Sequence, residues 1–145
     1  MWTFKDKGDR DVCLIPEVTA LVQELYREKW NSLPKPIKLF YVSRCYRYDR
    51  PQLGRYREFT QIGVECLGGK DNKQEVIDLL TGALDLFKLD YKLVPTVKRG
   101  LAYYLEDGFE VECEKLGAQK QVAGGGKYAE GIGWAIGLDR LLLAL

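Results

Sequence analysis

The sequence predicts an α+β domain: an antiparallel sheet flanked by helices. Three observations carry this expectation. Predicted strands follow one another through short turns, only three segments show helical periodicity, and 145 residues suit one compact domain. A chain of this length buries about two-thirds of the surface its unfolded form exposes, so it can build a core without disulfide or metal staples.

Taken in order, residues 2–5 and 12–15 read as short strands around the turn KDKGDRD. A helix is expected from Pro16, which suits a first helical turn, with Val18, Leu21, Val22 and Leu25 on one face. The loop NSLPKP ends it. Residues 37–46, rich in β-branched and aromatic types, read as a strand, and a second strand runs from about 57 to 67. Asn72 with Glu75 resembles a capping box at the head of an amphipathic helix carrying Val76, Ile77, Leu80, Leu84 and Phe87. Residues 91–94 form a short strand, and 101–114 with 119–123 a strand pair. Gly124-Gly125-Gly126 is expected to open a loop, and 132–145 to form a very apolar final helix.

Composition excludes several kinds of chemistry. There is no histidine, and the four cysteines (13, 45, 66 and 113) are scattered. Zinc-finger spacing, histidine metal clusters and Ser-His or Cys-His catalysis are therefore ruled out. Scattered cysteines read as reduced core residues of a cytoplasmic protein. No stretch approaches the roughly eighteen apolar residues of a membrane span, and the N-terminus has no apolar leader core. A net charge of +1 gives no general electrostatic grip on nucleic acid, so any anion site must come from local charge.

Local charge is concentrated in CYRYDRPQLGRYREFTQ, residues 45–61, which holds Arg47, Arg50, Arg55 and Arg57. Alternation along the following strand puts Arg57, Phe59, Gln61, Gly63 and Glu65 on one face. A guanidinium fork suits phosphate oxygens, an aromatic plate suits a purine, a glycine admits a ligand to the backbone, and an amide and a carboxylate can hold amines. The competing reading is a solvated hairpin face salt-bridged to Asp49 and Glu58. Arg140, set among leucines in GLDRLLLAL, must reach solvent or an anion. Arg99, ahead of Tyr103 and Tyr104, is a further candidate anion contact. GGGKY does not match a phosphate-binding P-loop, because Tyr128 follows Lys127.

These strings together resemble a known family. FYVSRCYRYDRPQLGRYREFTQIGVE resembles motif 2 of the class II aminoacyl-tRNA synthetases in their histidyl form, and GIGWAIGLDRLLLAL resembles motif 3. RGLAYY, AGGGKYAE and LIPEVTA resemble the family's RGLDYY, GGRYD and LRPEGTA elements. The five matches are in order and span residues 14–145.

The resemblance implies the class II catalytic-domain fold and histidine–tRNA ligase chemistry: ATP and histidine give histidyl-adenylate and pyrophosphate, and the aminoacyl group then passes to tRNA(His). It implies ATP-binding by Arg47, Asp49, Arg55, Phe59 and Arg140, with Mg2+ near Asp49. It implies catalytic roles for Arg47, Arg99 and Gln61, and a histidine pocket of Glu17, Thr19, Gln61, Glu65, Arg99, Tyr103, Tyr104 and Tyr128. Ile15, Val18, Ala102, Leu105 and Lys127 depart from the family's usual Arg, Gly, Asp, Thr and Arg.

Segments for motif 1, an insertion before Arg99 and an anticodon-binding domain have no counterpart. The expectation is thus a single trimmed catalytic core over residues 1–145, with homodimer formation left open. The alternatives are a non-catalytic histidine-binding paralogue, such as the regulatory subunit of ATP phosphoribosyltransferase, and a folded remnant without function.

Overall fold

The computed structural model describes residues 1–70, 72–98 and 102–145. Among the described residues there are eight strands: β1 (Thr3–Lys5), β2 (Asp11–Cys13), β3 (Ile37–Tyr46), β4 (Glu58–Leu67), β5 (Lys92–Val97), β6 (Gly108–Glu112), β7 (Gln121–Tyr128) and β8 (Gly131–Gly137). The helices are α1 (Thr19–Leu25), α2 (Lys73–Leu86) and α3 (Leu138–Ala144). β1 and β2 form a separate hairpin. The other six strands make one antiparallel sheet in the order β3-β4-β8-β7-β6-β5.

The predicted class holds, and residues 37–46 form a strand with the predicted bounds. The C-terminal part differs. Residues 132–137, expected within a helix, belong to β8, which lies between β4 and β7, and of that stretch Leu138–Ala144 is helical. Gly124, Gly125 and Gly126 lie inside β7 and not in a loop. A central strand buried on both faces reads as one continuous apolar run, and periodicity does not separate that pattern from a buried helix. Pairing with a strand on each side decides for β8.

Two helix starts also differ. α1 begins at Thr19, after Pro16 and a Val18 N-cap, and continues as a π-helical turn over Tyr26–Trp30. Asn72 is the N-cap of α2 but makes no side-chain cap bond, and its Nδ2 donates to Cys66 Sγ at 3.1 Å. Cys45, Cys66 and Cys113 are buried free thiols, whereas Cys13 is exposed on the short hairpin. No helix among the described residues is long and apolar enough to cross a membrane.

The two sheet faces have opposite characters. On the back, Val64, Cys66, Ile132, Trp134, Ile136, Ala123, Phe109 and Val111 join Val76, Ile77, Leu80 and Leu84 of α2 and Leu141 of α3 in the main core. The Trp134 Nε1–H donates to Val76 O at 2.9 Å, so this large ring is buried without stranding its donor. On the front, register aligns Gly133 and Ala135 of β8 with Gly126 and Gly124 of β7, and Gly137 with Gln61 of β4. Small residues there leave the middle of the sheet low, and α1 covers only the end near Val22, Leu67 and Tyr128.

Because Leu80 is fully buried in the main core and Leu79 is exposed on the same helix, Leu80→Ala should lower stability by roughly 2–5 kcal/mol. Leu79→Ala should change it by less than about 0.5 kcal/mol. Urea denaturation of both variants checks this. Equal losses would contradict the placement of the core.

Candidate active site

The uncovered front of the sheet is a cleft of about 1040 Å³. Arg47, Asp49, Arg55, Phe59 and Arg140 line it together with Glu17, Thr19, Gln61, Tyr103 and Tyr104. Residues from the β2–α1 loop, the β3–β4 hairpin, the segment before β6 and α3 are thus brought to one place.

Local geometry explains how each arginine is aimed. Arg47 follows β3, where its backbone N–H donates to Arg57 O at 2.9 Å and closes the hairpin. Its Nε donates to Pro16 O at 3.1 Å, and its guanidinium carbon stands 5.0 Å from the centre of the Phe59 ring. Arg55 sits at the tip of a tight turn in which Gln52 and Arg55 exchange backbone hydrogen bonds of 3.0 and 2.9 Å. Arg140 is carried by α3, whose first turn is pinned where Asp139 Oδ2 accepts the Thr60 N–H at 2.7 Å. The Arg140 Nε donates to Gly54 O, and its Nη1 donates to Gln121 O at 2.8 Å. Burial holds the Arg140 pKa below its usual value, and the positive charges of Arg55 and Arg47 push it further down. Arg140 is therefore close enough to feel both of the other two charges.

The other end of the cleft is polar and aromatic. The Tyr103 hydroxyl donates to Glu17 Oε2 at 3.1 Å. Tyr103 and Tyr104 have ring centres 4.7 Å apart, and Tyr103 meets Tyr128 edge-on at 6.2 Å. Gln61 accepts a contact from Cys45 Sγ at 3.3 Å. Beneath them lies Glu65, fully buried. Thr19 Oγ1 donates to its Oε1 at 2.7 Å, and the Tyr128 hydroxyl donates to its Oε2 at 2.6 Å. Gly133 makes this possible, because a Cβ there would stand 1.7 Å from Glu65 Oε2. Burial raises the Glu65 pKa to about 7 against the pull of those two donors, and it pushes the Tyr128 and Tyr103 hydroxyls well up.

Some expectations are redirected. Gly63 does not open the backbone to the cleft: the ring of Tyr41, one strand over, fills its place, and a Cβ there would lie 2.1 Å from that ring. Arg57 turns away to donate to Asp49 O at 3.1 Å and to stack near Trp2 and Tyr48. Arg44 pairs with Glu58 at 3.3 Å on the surface, so the solvated salt-bridge reading holds for that arginine. Arg99 lies outside the described residues. Sequence reasoning missed Glu110, on the cleft side of β6, and Tyr41, whose hydroxyl is buried. Glu110 was hidden by the uncertain strand bounds before β7, and Tyr41 by the ordinary look of a strand aromatic.

Comparison with known proteins identifies the family and the fold. Residues 2–129 match the tRNA synthetase class II core domain (G, H, P, S and T). A histidine–tRNA ligase of Methanosarcina acetivorans is 31% identical over 250 residues, covering 98% of this chain and 60% of the relative. One of Sulfolobus acidocaldarius is 49% identical over 96 residues, covering 65% of this chain and 22% of the relative. The crystal structure of apo Staphylococcus aureus histidyl-tRNA synthetase superposes with a TM-score of 0.83 at 25% identity, covering all of this chain and 60% of that one. The chain thus spans less than two-thirds of the length of these relatives.

The buried carboxyl makes a pH prediction. A carboxyl whose folded pKa stands above its unfolded value stabilises the fold fully below the unfolded pKa, and loses that contribution as pH rises through the folded one. Between pH 4.5 and 7.5 the native protein should lose roughly 3 kcal/mol relative to Glu65→Gln, which lacks the titration. Urea midpoints across that range measure it, and parallel pH profiles for the two proteins would contradict it.

Proposed function

The chain belongs to the tRNA synthetase class II core domain family, and from that membership we propose that it carries the amino-acid-activating site of a histidine–tRNA ligase. The observation that supports this reading most is the gathering of Arg47, Arg55 and Arg140 with Phe59 in one cleft, beside the polar pocket of Glu17, Thr19 and Gln61.

In the proposed reaction a carboxylate oxygen of histidine attacks the α-phosphorus of ATP. The new O–P bond forms as the bond from the α-phosphorus to the bridging oxygen breaks, and pyrophosphate leaves with those electrons. Both reactants are anionic, so fixed cations must offset their repulsion and the charge that builds up on the phosphoryl oxygens. Arg47 serves the α-phosphate and the carboxylate. Arg55 and Arg140 hold the outer phosphates, and Phe59 stacks on adenine. Arg99 supplies the cation facing the α-phosphate, an assignment resting on the RGLAYY string. Preformed donors in a half-buried cleft need little reorganisation at the moment of reaction.

Glu17, Thr19 and Gln61 receive the ammonium group of histidine. Glu65, Tyr103, Tyr104 and Tyr128 shape the imidazole pocket. Each Glu65 oxygen already accepts one hydrogen bond, and a carboxylate oxygen has capacity for another, so an imidazole N–H can join without displacing Thr19 or Tyr128. A site built to satisfy a ring N–H discriminates against side chains that lack it.

Mg2+ fits as a companion of the nucleotide. Among the described residues no three carboxylate or thiol groups cluster as a resident metal site. Asp49 and Glu110, however, both line the cleft and act on Arg140. Mg2+ typically keeps several waters and takes one or two carboxylates with phosphate oxygens, and those two side chains would hold it. When bound it neutralises phosphate charge. Transfer to tRNA(His) and a cytoplasmic setting complete the proposal. A histidine-binding role without ATP is less well supported, because it leaves the three gathered guanidiniums without an anion.

Histidine-dependent exchange of pyrophosphate into ATP tests the reading. The native chain should exchange with histidine and not with other amino acids, and Arg47→Ala should lower the rate by roughly 10²–10³-fold. Histidine binding without exchange in the native protein would contradict activation and favour a binding role.

A further inference from the structure

A buried hydroxyl that no role above uses stands beside Glu65. Tyr41 lies on β3 opposite Gly63 of β4, and alternation puts Gly63 between Gln61 and Glu65 on one face of that strand. The Tyr41 ring fills the space that Gly63 leaves: a Cβ at Gly63 would stand 2.3 Å from the Tyr41 hydroxyl oxygen. The hydroxyl is buried, and the Thr19 hydroxyl acts on it as a hydrogen-bonding neighbour. This contact is looser than the 2.7 Å bond that Thr19 makes to Glu65.

Proton count fixes the direction of this contact. A hydroxyl carries one proton and two lone pairs. Thr19 commits its proton to Glu65 Oε1, so toward Tyr41 it can only accept. The phenol must then donate, and a buried donor is costly to leave without an acceptor. The row therefore runs from the Tyr41 O–H to Thr19 Oγ1, and from the Thr19 O–H to Glu65 Oε1. A donor at the head of such a row polarises the hydroxyl in the middle and strengthens its bond to a carboxylate. The other Glu65 oxygen has a phenol of its own, Tyr128, at 2.6 Å.

We propose that Tyr41 is a positioning residue for this pocket, and that its hydroxyl, donating to Thr19 Oγ1, keeps the Thr19 proton on Glu65 Oε1. Where Glu65 receives a ring N–H, a step that rests on the proposed function, Tyr41 then helps to set how much of Glu65 is ionised to accept it. Phenylalanine would fill the space over Gly63 as well, so the hydroxyl and not the ring carries this role. Burial raises the Glu65 pKa to about 7, Tyr128 and Thr19 oppose that rise, and the charge of Glu17 adds to it. Among the described residues, the ionisable groups turned toward Glu65 include Glu17 from the loop before α1, Tyr41 from β3 and Tyr128 from β7, with Cys45 next to Tyr41 and Tyr104 next to Tyr128. All of these remain in place when one hydroxyl is removed, so native and variant differ in that group alone.

The Glu65 carboxyl carbon, followed by NMR across pH in the ligand-free chain and assigned with Glu65→Gln, tests this. Tyr41→Phe should raise the Glu65 midpoint by roughly half a pH unit, because the ionised form loses support. Thr19→Val should raise it further, and Tyr41→Phe should add nothing on that background. The proposal is overturned if Tyr41→Phe leaves the midpoint at or below its native value. It is equally overturned if the rise is as large with Thr19 replaced, since the hydroxyl would then not act through Thr19. A second readout needs no change at Tyr41 and decides the matter if Tyr41→Phe does not fold. The Tyr41 Cζ resonance should move in Thr19→Val, and an unmoved resonance overturns the proposal. These signals are read without ATP or histidine, so they stand whether or not the chain exchanges pyrophosphate. Where it does, Tyr41→Phe should raise the KM for histidine about twofold at pH 7 and hardly at pH 8.5, where Glu65 is ionised in both proteins. An equal rise at both pH values is what lost packing would give, and it too overturns the proposal.

Discussion

Three guanidinium groups gathered in one cleft, none of them in a salt bridge among the described residues, set the character of this molecule. Arg47 is anchored by Pro16 O, and Arg140 by Gly54 O and Gln121 O. Neutral carbonyls orient these side chains and carry no charge to offset theirs, although Asp49 and Glu110 offset part of it at Arg140. Elsewhere the pattern is reversed: Arg10, Arg27 and Arg44 sit on Asp6, Glu130 and Glu58. Gathering like charges opposes folding unless an anion is expected at the same place. Carbonyl anchors hold Arg47 and Arg140 in the cleft, whereas Arg57, also held by a carbonyl, that of Asp49, is turned away from it.

The sheet makes that gathering possible through an asymmetry between its faces. Bulky residues of β8 point back, where Ile132, Trp134 and Ile136 pack on α2 and α3. The residues between them are glycine or alanine and face forward, so the front is low enough for a ligand to lie across the strands. The same economy of side chains lets Glu65 stand against Gly133 and keep both oxygens bonded beneath the cleft floor. Packing on one face and binding on the other are thus written in alternate residues of a single strand.

The fold class was legible because β3 and β4 carry clear strand composition, and because helix-like periodicity was scarce. The β8 segment was not. GIGWAIG is apolar on both faces of a central strand, and its identity depends on neighbours from β4 and β7 that lie far away in the chain. Candidate site residues were legible where a charged side chain stands in an apolar run and must find solvent or a polar partner, as with Arg140 among leucines. Alternation alone misjudged Arg57 and Gly63: the first is captured by Trp2 and Tyr48, and the second is filled by Tyr41 from the adjacent strand. Both captures come from residues remote in sequence, which local pattern cannot see. Glu110 needed the β6–β7 register before its direction was known.

The central claim is that these like charges are kept at a cost to the empty protein for the sake of an anion. Thermal unfolding of the native chain and of Arg55→Gln, each with and without ATP, tests it most directly. Removing one of the mutually repelling cations should raise the melting temperature of the ligand-free protein, and it should shrink the further rise that ATP produces. A variant that melts lower without ligand, yet gains as much from ATP as the native chain, would contradict the account.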